Sequence, residues 1–371
     1  MPLYGFGSNI MGQLDQPEDK IFIHQPIEIP FFQSKKIVKI ACGKMHALVL
    51  CENNELYSWG VNDDYALGRE GVDEEGIKQV VVNTNDQIID ICAGASYSAF
   101  LTQRRGYVYA CGTFKSTNGI FGFNTNNKFG IGFQRIPNAK SIISISGGMN
   151  HILMLDKFQN IWSIGANESY QLGRKHRVRR DKYILVPMVV SNQRNQKENY
   201  KFINISAGGY HSVGINELGE AFFWGSNCNG QLGNESLHPT DHKYKIGLSH
   251  VVQVECGYNH TLMLTKDGTV YGCGENSQKQ LGTHLDSNNE KTKLLVTPTK
   301  LGTGFCKIRS GGDFIILQRN NNLYAMGINT ECECGLPNNI EDVSELTKIQ
   351  FKFNKIIDYQ CGGNFTLVYT E

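Results

Sequence analysis

Four histidines, His46, His151, His211 and His260, each stand three residues after a glycine, in Gly-X-X-His turns. Imidazoles in a set invite a reading as metal ligands or acid–base groups. Each falls in a different copy of one repeated pattern, however, and equivalent positions around a ring are too dispersed for tetrahedral ligation. Other copies carry Tyr97, Phe314 and Phe365 there. Turn histidines, not a metal centre, are therefore expected. Cys332-Glu333-Cys334 lacks a second ligand pair, so it is a weak zinc or redox signal. Gly5-Phe6-Gly7 opens no helical pattern and fails as a dinucleotide fingerprint. No convergent carboxylate pair or nucleophile–base set is visible. Non-covalent chemistry remains, and its main candidate is the run Arg174–Lys182, where Arg174, Lys175, Arg177, Arg179, Arg180 and Lys182 place six cations in nine residues. Arginine forks suit bidentate capture of carboxylate or phosphate, although such a run is equally a solvated loop.

The frame that positions these residues is a repeat. Anchor glycines at 43, 94, 148, 208, 257, 311 and 362 are spaced by 51, 54, 60, 49, 54 and 51 residues. Self-similarity at this period signals a ring or solenoid. In each copy a Gly turn precedes an apolar run of strand length, as in Ala47-Leu48-Val49-Leu50, then a polar turn such as Glu52-Asn53-Asn54 and a second strand such as Leu56-Tyr57-Ser58-Trp59. That order predicts hairpins. A glycine pair eight positions apart follows, Gly60 and Gly68 being one and Gly225 and Gly233 another, with an Asn two residues after the first. Those residues are expected to build turns.

The last copy is cut short after Phe365-Thr366-Leu367-Val368-Tyr369, and its missing half stands at the other end, Leu3 to Leu14. Joining the two would remove the open edges of the array. The expected fold is all-β, a seven-bladed β-propeller closed by pairing of the N- and C-terminal segments in one blade, with residues 1–371 as a single domain.

Composition agrees. Forty Gly, 19 Phe and 16 Tyr suit short strands and tight turns, and 9 Pro with 19% charged residues argue against a long disordered tail. A net charge of +1 excludes whole-molecule attraction to nucleic acid. No stretch has the length and apolarity of a membrane span or an export signal, so a soluble protein without membrane contact is expected; a monomer is a separate expectation. Eleven Cys, four of them (Cys42, Cys92, Cys256, Cys361) just before anchor glycines, read as small buried side chains under reducing conditions.

With these residues in hand the chain resembles the regulator of chromosome condensation family across all seven units. Gly60-Val61-Asn62-Asp63-Asp64-Tyr65-Ala66-Leu67-Gly68 is similar to the family's first full repeat. Gly112 and Gly122 stand ten positions apart, two more than the other pairs. The family carries an insertion there that forms a β-wedge used against the small GTPase Ran. The resemblance implies a wedge of Phe114, Lys115, Ser116, Thr117, Asn118, Gly119, Ile120 and Phe121, with Phe114 and Ile120 giving apolar contact and Lys115 and Asn118 polar contact. It further implies a GTPase-binding face with His46, Ala95, Asn150, Arg174 and Asn259. His46 and Arg174 match the family pattern. Ala95 and Asn150 stand where the family has Asp, Asn259 and Phe365 where it has His, and Glu275 where it has Arg.

The implied activity is guanine-nucleotide exchange on a Ran-like GTPase, without covalent chemistry or a cofactor. The run Arg174–Lys182, followed by Ile184-Leu185-Val186-Pro187, sits where the family's basic loop meets the histone acidic patch. It implies a nucleosome contact, DNA as a further partner, and a chromosome-associated place in the nucleus, the cytoplasm being the other compartment open to it. The competing expectation is a propeller scaffold that binds a protein partner without exchange.

Overall fold

The second strand of each repeat reads as an almost unbroken apolar run because both of its faces are covered. In a computed structural model, which describes residues 1–71, 76–116, 119–174, 185–190, 200–282, 292–337 and 339–371, seven four-stranded antiparallel sheets follow one another around a ring. We number them as blades 1 to 7 from their innermost strands, Ile37–Cys42, Ile88–Ala93, Ile142–Gly147, Phe202–Ala207, Val251–Cys256, Lys307–Ser310 and Ile356–Cys361. The second strands, such as His46–Cys51 and His151–Asp156, are buried along their whole length. A blade sandwiched between two neighbours loses the in–out alternation of a half-exposed sheet. The apolar side chains accordingly pool between blades: Leu48, Phe100 and Phe133 join blades 1 and 2, and Leu153, Phe222 and Trp224 join blades 3 and 4. Each such chain is worth about 1.5–3 kcal/mol on burial.

Closure is as the sequence implied. In blade 7 the N-terminal strand Leu3–Ser8 pairs with Phe365–Thr370, from Leu3 opposite Tyr369 to Gly7 opposite Phe365. Phe22–Glu28 adds the outer strand and Ile356–Cys361 the inner one. The Trp59 indole N–H donates to the Gln13 carbonyl at 2.8 Å, tying the N-terminal segment to blade 1 as well.

Two sets of hydrogen bonds stitch the blades. Around one mouth of the central channel the anchor turns bond head to tail: Lys44 N–H to Gly94 O, Met149 N–H to Gly208 O, Gly209 N–H to Gly257 O and Gly363 N–H back to Gly43 O are four of seven links. Deeper, the histidines bridge to the next blade, His46 Nε2 to Ser98 Oγ at 2.9 Å, His151 to Ser212 at 2.8 Å, His211 to Thr261 at 2.8 Å and His260 to Ser310 at 2.7 Å. Ser98, Ser212 and Thr261 donate their own hydrogens to the carbonyls of Ala66, Gln171 and Gln231. In these three bridges the imidazole Nε2–H must then be the donor, which places a proton on Nε2. Burial holds His46 down to about 4 and His151, His211 and His260 to about 3.

The repeated Asn residues build turns: Asn62, Asn167, Asn227 and Asn276 accept from the N–H five residues on at 2.9–3.0 Å. Cys334 takes the same role with Asn329 at 3.1 Å, so the Cys332-Glu333-Cys334 stretch is one more repeat turn. The pre-anchor cysteines are less buried than expected, since Cys42, Cys256 and Cys361 are half-buried along the channel wall and only Cys92 is enclosed. Among the described residues no helix is long and apolar enough to cross a membrane.

Candidate partner-binding face

Blade 2 carries an extra element. Between its third and fourth strands a two-stranded hairpin, Phe114–Ser116 against Gly119–Gly122, pairs with no blade. Its base needs glycine: Gly112 has φ of +88°, and a Cβ there would lie 2.2 Å from the Ser96 carbonyl oxygen. At the tip a Cβ on Gly119 would meet nothing within 4 Å, so the hairpin ends in open space.

Three contacts hold this hairpin. Phe114 is 1% exposed, its ring 5.0 Å from that of Tyr97, in a cluster with Ile152, Ile164 and Leu185. The Lys115 N–H donates to Asn150 Oδ1 at 3.0 Å. The Lys115 ammonium forms an ion pair with Asp64, from the Gly60–Gly68 turn of blade 1. The hairpin is thus rooted in the seam between blades 2 and 3 and braced from blades 1 and 3. Thr113 Oγ1 donates to the Lys128 carbonyl at 2.7 Å and closes its base.

These positions revise one expected role. Phe114 faces the core and cannot give apolar contact to a partner; it is the root. Lys115 and Ser116 are half-buried and Gly119 is exposed, which leaves them on the surface. Thr117 and Asn118 lie outside the described residues, as do the side chains of Ile120 and Phe121.

The face-forming set divides in the same way. His46 is 1% exposed and spent on Ser98, so it is a blade staple and not a contact residue. Asn150 is 9% exposed and positions Lys115. Ala95 is half-buried on its anchor turn, with its N–H bonded to the Met149 carbonyl. Asn259 is half-buried on the same face, its amide donating to Glu275 Oε2 at 2.9 Å. Arg174 does not project: its guanidinium donates to the carbonyls of Val186 at 3.2 Å and Ser163 at 3.1 Å, and burial lowers its pKa to about 10. It pins the two ends of the basic loop. Lys175, Arg177, Arg179, Arg180 and Lys182 lie outside the described residues.

Sequence reasoning missed the acidic character of this face across blades 5 and 6. Asn259, Glu275 and Ser277 form one chain, Ser277 Oγ donating to Glu275 Oε1 at 2.8 Å. Asp313 accepts from Gln280 Nε2 at 3.4 Å, and burial followed by the nearby Glu275 carboxylate raises it to about 6. Glu333 is 1% exposed and raised to about 7, chiefly by burial. The signal was present: Glu333 occupies the repeat position held by Gln171, Gln231 and Gln280, and all four accept from a main-chain N–H two residues back.

A closed seven-bladed ring with, among the described residues, one hairpin that pairs apart from the blades defines a β-propeller. The chain belongs to the RCC1-like domain family, whose pattern matches residues 2–368. Protein pim1 of Schizosaccharomyces pombe is 27% identical over 99% of this chain and 74% of its own length. The guanine nucleotide exchange factor SRM1 of Saccharomyces cerevisiae is 26% identical over 90% of this chain and 78% of its own. The solved structure of Prp20p from Saccharomyces cerevisiae, described with its binding to Gsp1p and histones, superposes with a TM-score of 0.89 at 26% identity, covering 99% of this chain and 90% of that one.

Proposed function

We propose that the protein is a guanine-nucleotide exchange factor for a Ran-like small GTPase and acts by holding the nucleotide-free GTPase. The observation that carries this reading is the braced hairpin at residues 114–122, the one blade connection among those described that pairs as its own sheet. Similarity over nearly the whole chain to SRM1 supports the class of activity.

Exchange needs no proton transfer. A GTPase that binds nucleotide at about picomolar strength gains roughly 16 kcal/mol from it. A factor that speeds release must offer the empty conformation comparable contact energy. A rigid prong does so without the ordering cost that a mobile loop would incur. Lys115 and the hairpin tip supply that prong, and Asn259 with Glu275 and Asp313 a polar acidic neighbourhood for a basic partner surface. The test is release of a fluorescent guanine nucleotide from the cognate Ran. Intact protein accelerates release, and Lys115→Ala/Asn118→Ala slows it markedly. No acceleration at micromolar protein would leave the scaffold reading, which the burial of His46 and the neutral side chains at Ala95 and Asn150 favour.

Chromatin association through the basic loop is the second part of the proposal, with the nucleus as its compartment. It rests on Arg177, Arg179 and Arg180, and on the similarity to Prp20p. Nucleosome pull-down by wild type, lost in Arg177→Ala/Arg179→Ala/Arg180→Ala, supports it. Undiminished capture by the triple variant would assign the contact elsewhere.

A further inference from the structure

The face opposite the hairpin has a feature that the exchange reading does not use. At the start of the inner strand the pairing register slips in six blades. In blades 3, 4 and 5, where the residue turned outward is most exposed, the slips fall between Ile142 and Ser144, Phe202 and Asn204, and Val251 and Gln253. Each slip is a bulge that turns one extra residue outward. Ile142, Phe202 and Val251 are each 2% exposed, whereas the next residues, Ile143, Ile203 and Val252, are 51%, 53% and 49% exposed, against 40% for Val38 in blade 1 and 36% for Ile357 in blade 7. Two turn tips add Phe158 at 67% and Leu218 at 69%.

Backbone hydrogen bonds place these five residues on successive neighbouring segments around the arc. Lys157 N–H donates to Ser141 O, Phe202 N–H to Gln159 O, Glu217 N–H to Lys201 O and Val251 N–H to Gly219 O, at 2.8, 3.1, 2.9 and 3.0 Å. Each bond joins a turn to the residues beside a bulge, so the order is Ile143, Phe158, Ile203, Leu218, Val252. Isolated exposed apolar residues need no explanation, but a contiguous strip does.

Lysines outnumber carboxylates along the strip. Lys140, Lys157, Lys201 and Lys266 are exposed along it, against Glu217 and Asp267. Asp267 is occupied within its own turn by Thr265 and Thr269. A protein whose overall charge is only +1 thus concentrates cations beside its apolar strip.

We propose that this arc over blades 3 to 5 binds an acidic amphipathic helix of a partner protein, apolar side chains against Ile143–Val252 and carboxylates toward the lysines. A strip-shaped ligand fits better than an anionic bilayer. The arc borders the mouth of a polar channel cavity of about 600 Å³. The cavity wall carries the ion pairs Lys39–Asp90 and Arg309–Glu255. A bilayer lying flat on this face would cover those charged walls with hydrocarbon, whereas a helix along the arc leaves the channel open.

The inference does not depend on exchange activity. The probe is a fluorescein-labelled helical peptide with Leu on one face and Glu on both flanks, titrated with the full chain and read by polarisation. Micromolar binding is expected, weakened about tenfold or more in Ile203→Asp/Leu218→Asp. Binding also falls with salt and is absent for the same peptide with Lys in place of Glu. Both substitutions are at exposed sites, and an unchanged melting temperature confirms the fold. No measurable binding, equal binding by the double variant, or association only with phosphatidylserine vesicles overturns the proposal.

Discussion

The main-chain N–H of Lys115 donates to Asn150 Oδ1 at 3.0 Å, across the seam from blade 2 to blade 3. This fixes the direction in which the hairpin leaves the ring. The Lys115 ammonium, paired with Asp64, steadies the other flank.

Asn150 is therefore a positioning residue. Asn150→Ala leaves the Lys115 N–H without its acceptor and frees the hairpin base. We expect about a tenfold loss of nucleotide release on the cognate Ran, with stability reduced by only about 1 kcal/mol. Asn150→Asp keeps an acceptor oxygen and restores release. Asp64→Asn, which weakens a half-buried ion pair but keeps an oxygen acceptor for Lys115, has the smaller effect. Equal loss in the Ala and Asp variants would show that the carboxamide itself touches the partner.

Phe114 sets the root. Phe114→Ala opens a cavity beside Tyr97 and costs about 3–5 kcal/mol in chemical denaturation. Phe114→Leu costs less and preserves exchange if the root acts only through packing. A Phe114→Ala variant as stable as wild type would contradict its placement in the blade 2–3 core.

Much of this was legible from the chain. Period, hairpins, closure and the extra length between Gly112 and Gly122 all appear in the order of apolar runs and glycines, because tight turns admit few residue types. What lay out of reach was destination across blades. The position after each anchor aromatic is Ser98, Ser212 or Thr261 where the preceding blade supplies His46, His151 or His211. It is Ile152 or Ala47 where the preceding blade has Tyr97 or Phe365, and blade 6, with Ile315 there, uses Ser310 instead. Thr366 of blade 7 follows the Phe314 blade and bonds Cys361 within its own blade. That pairing becomes visible only once neighbouring blades are docked. Phe114 and His46 were misplaced on the surface for the same reason: a type suited to contact a partner is also a type suited to fill a seam.

The four stapling histidines make the ring acid-sensitive. Their folded pKa values lie below the ordinary 6.5, at about 4 for His46 and about 3 for the others. The unfolded chain therefore takes up protons first. Their stabilisation is complete above pH 6.5 and is lost as pH falls toward 4 for His46 and toward 3 for the others, each histidine contributing up to about 1.4 kcal/mol per pH unit. Denaturant midpoints measured from pH 7 to 5 should fall, and His211→Asn should flatten that slope while lowering stability at pH 7. A wild-type midpoint constant over this range would refute the staple assignment.

Glu333 works in the opposite sense. Its folded pKa is raised from 4.5 to about 7, so burial favours the neutral acid. The stability it contributes is present below 4.5 and is lost as pH rises through 7. The other units solve the same position with glutamine, which is neutral at every pH and keeps the carbonyl oxygen that accepts the N–H two residues back. Glu333→Gln should therefore raise the melting temperature at pH 8, by an amount equivalent to about 1–3 kcal/mol, and leave it nearly unchanged at pH 5. If exchange uses the acidic surface of blades 5 and 6, the same variant keeps the half-buried Glu275 carboxylate and alters release only slightly. Equal stabilisation at both pH values would mean that the carboxyl is neutral throughout, and that packing alone distinguishes the two side chains.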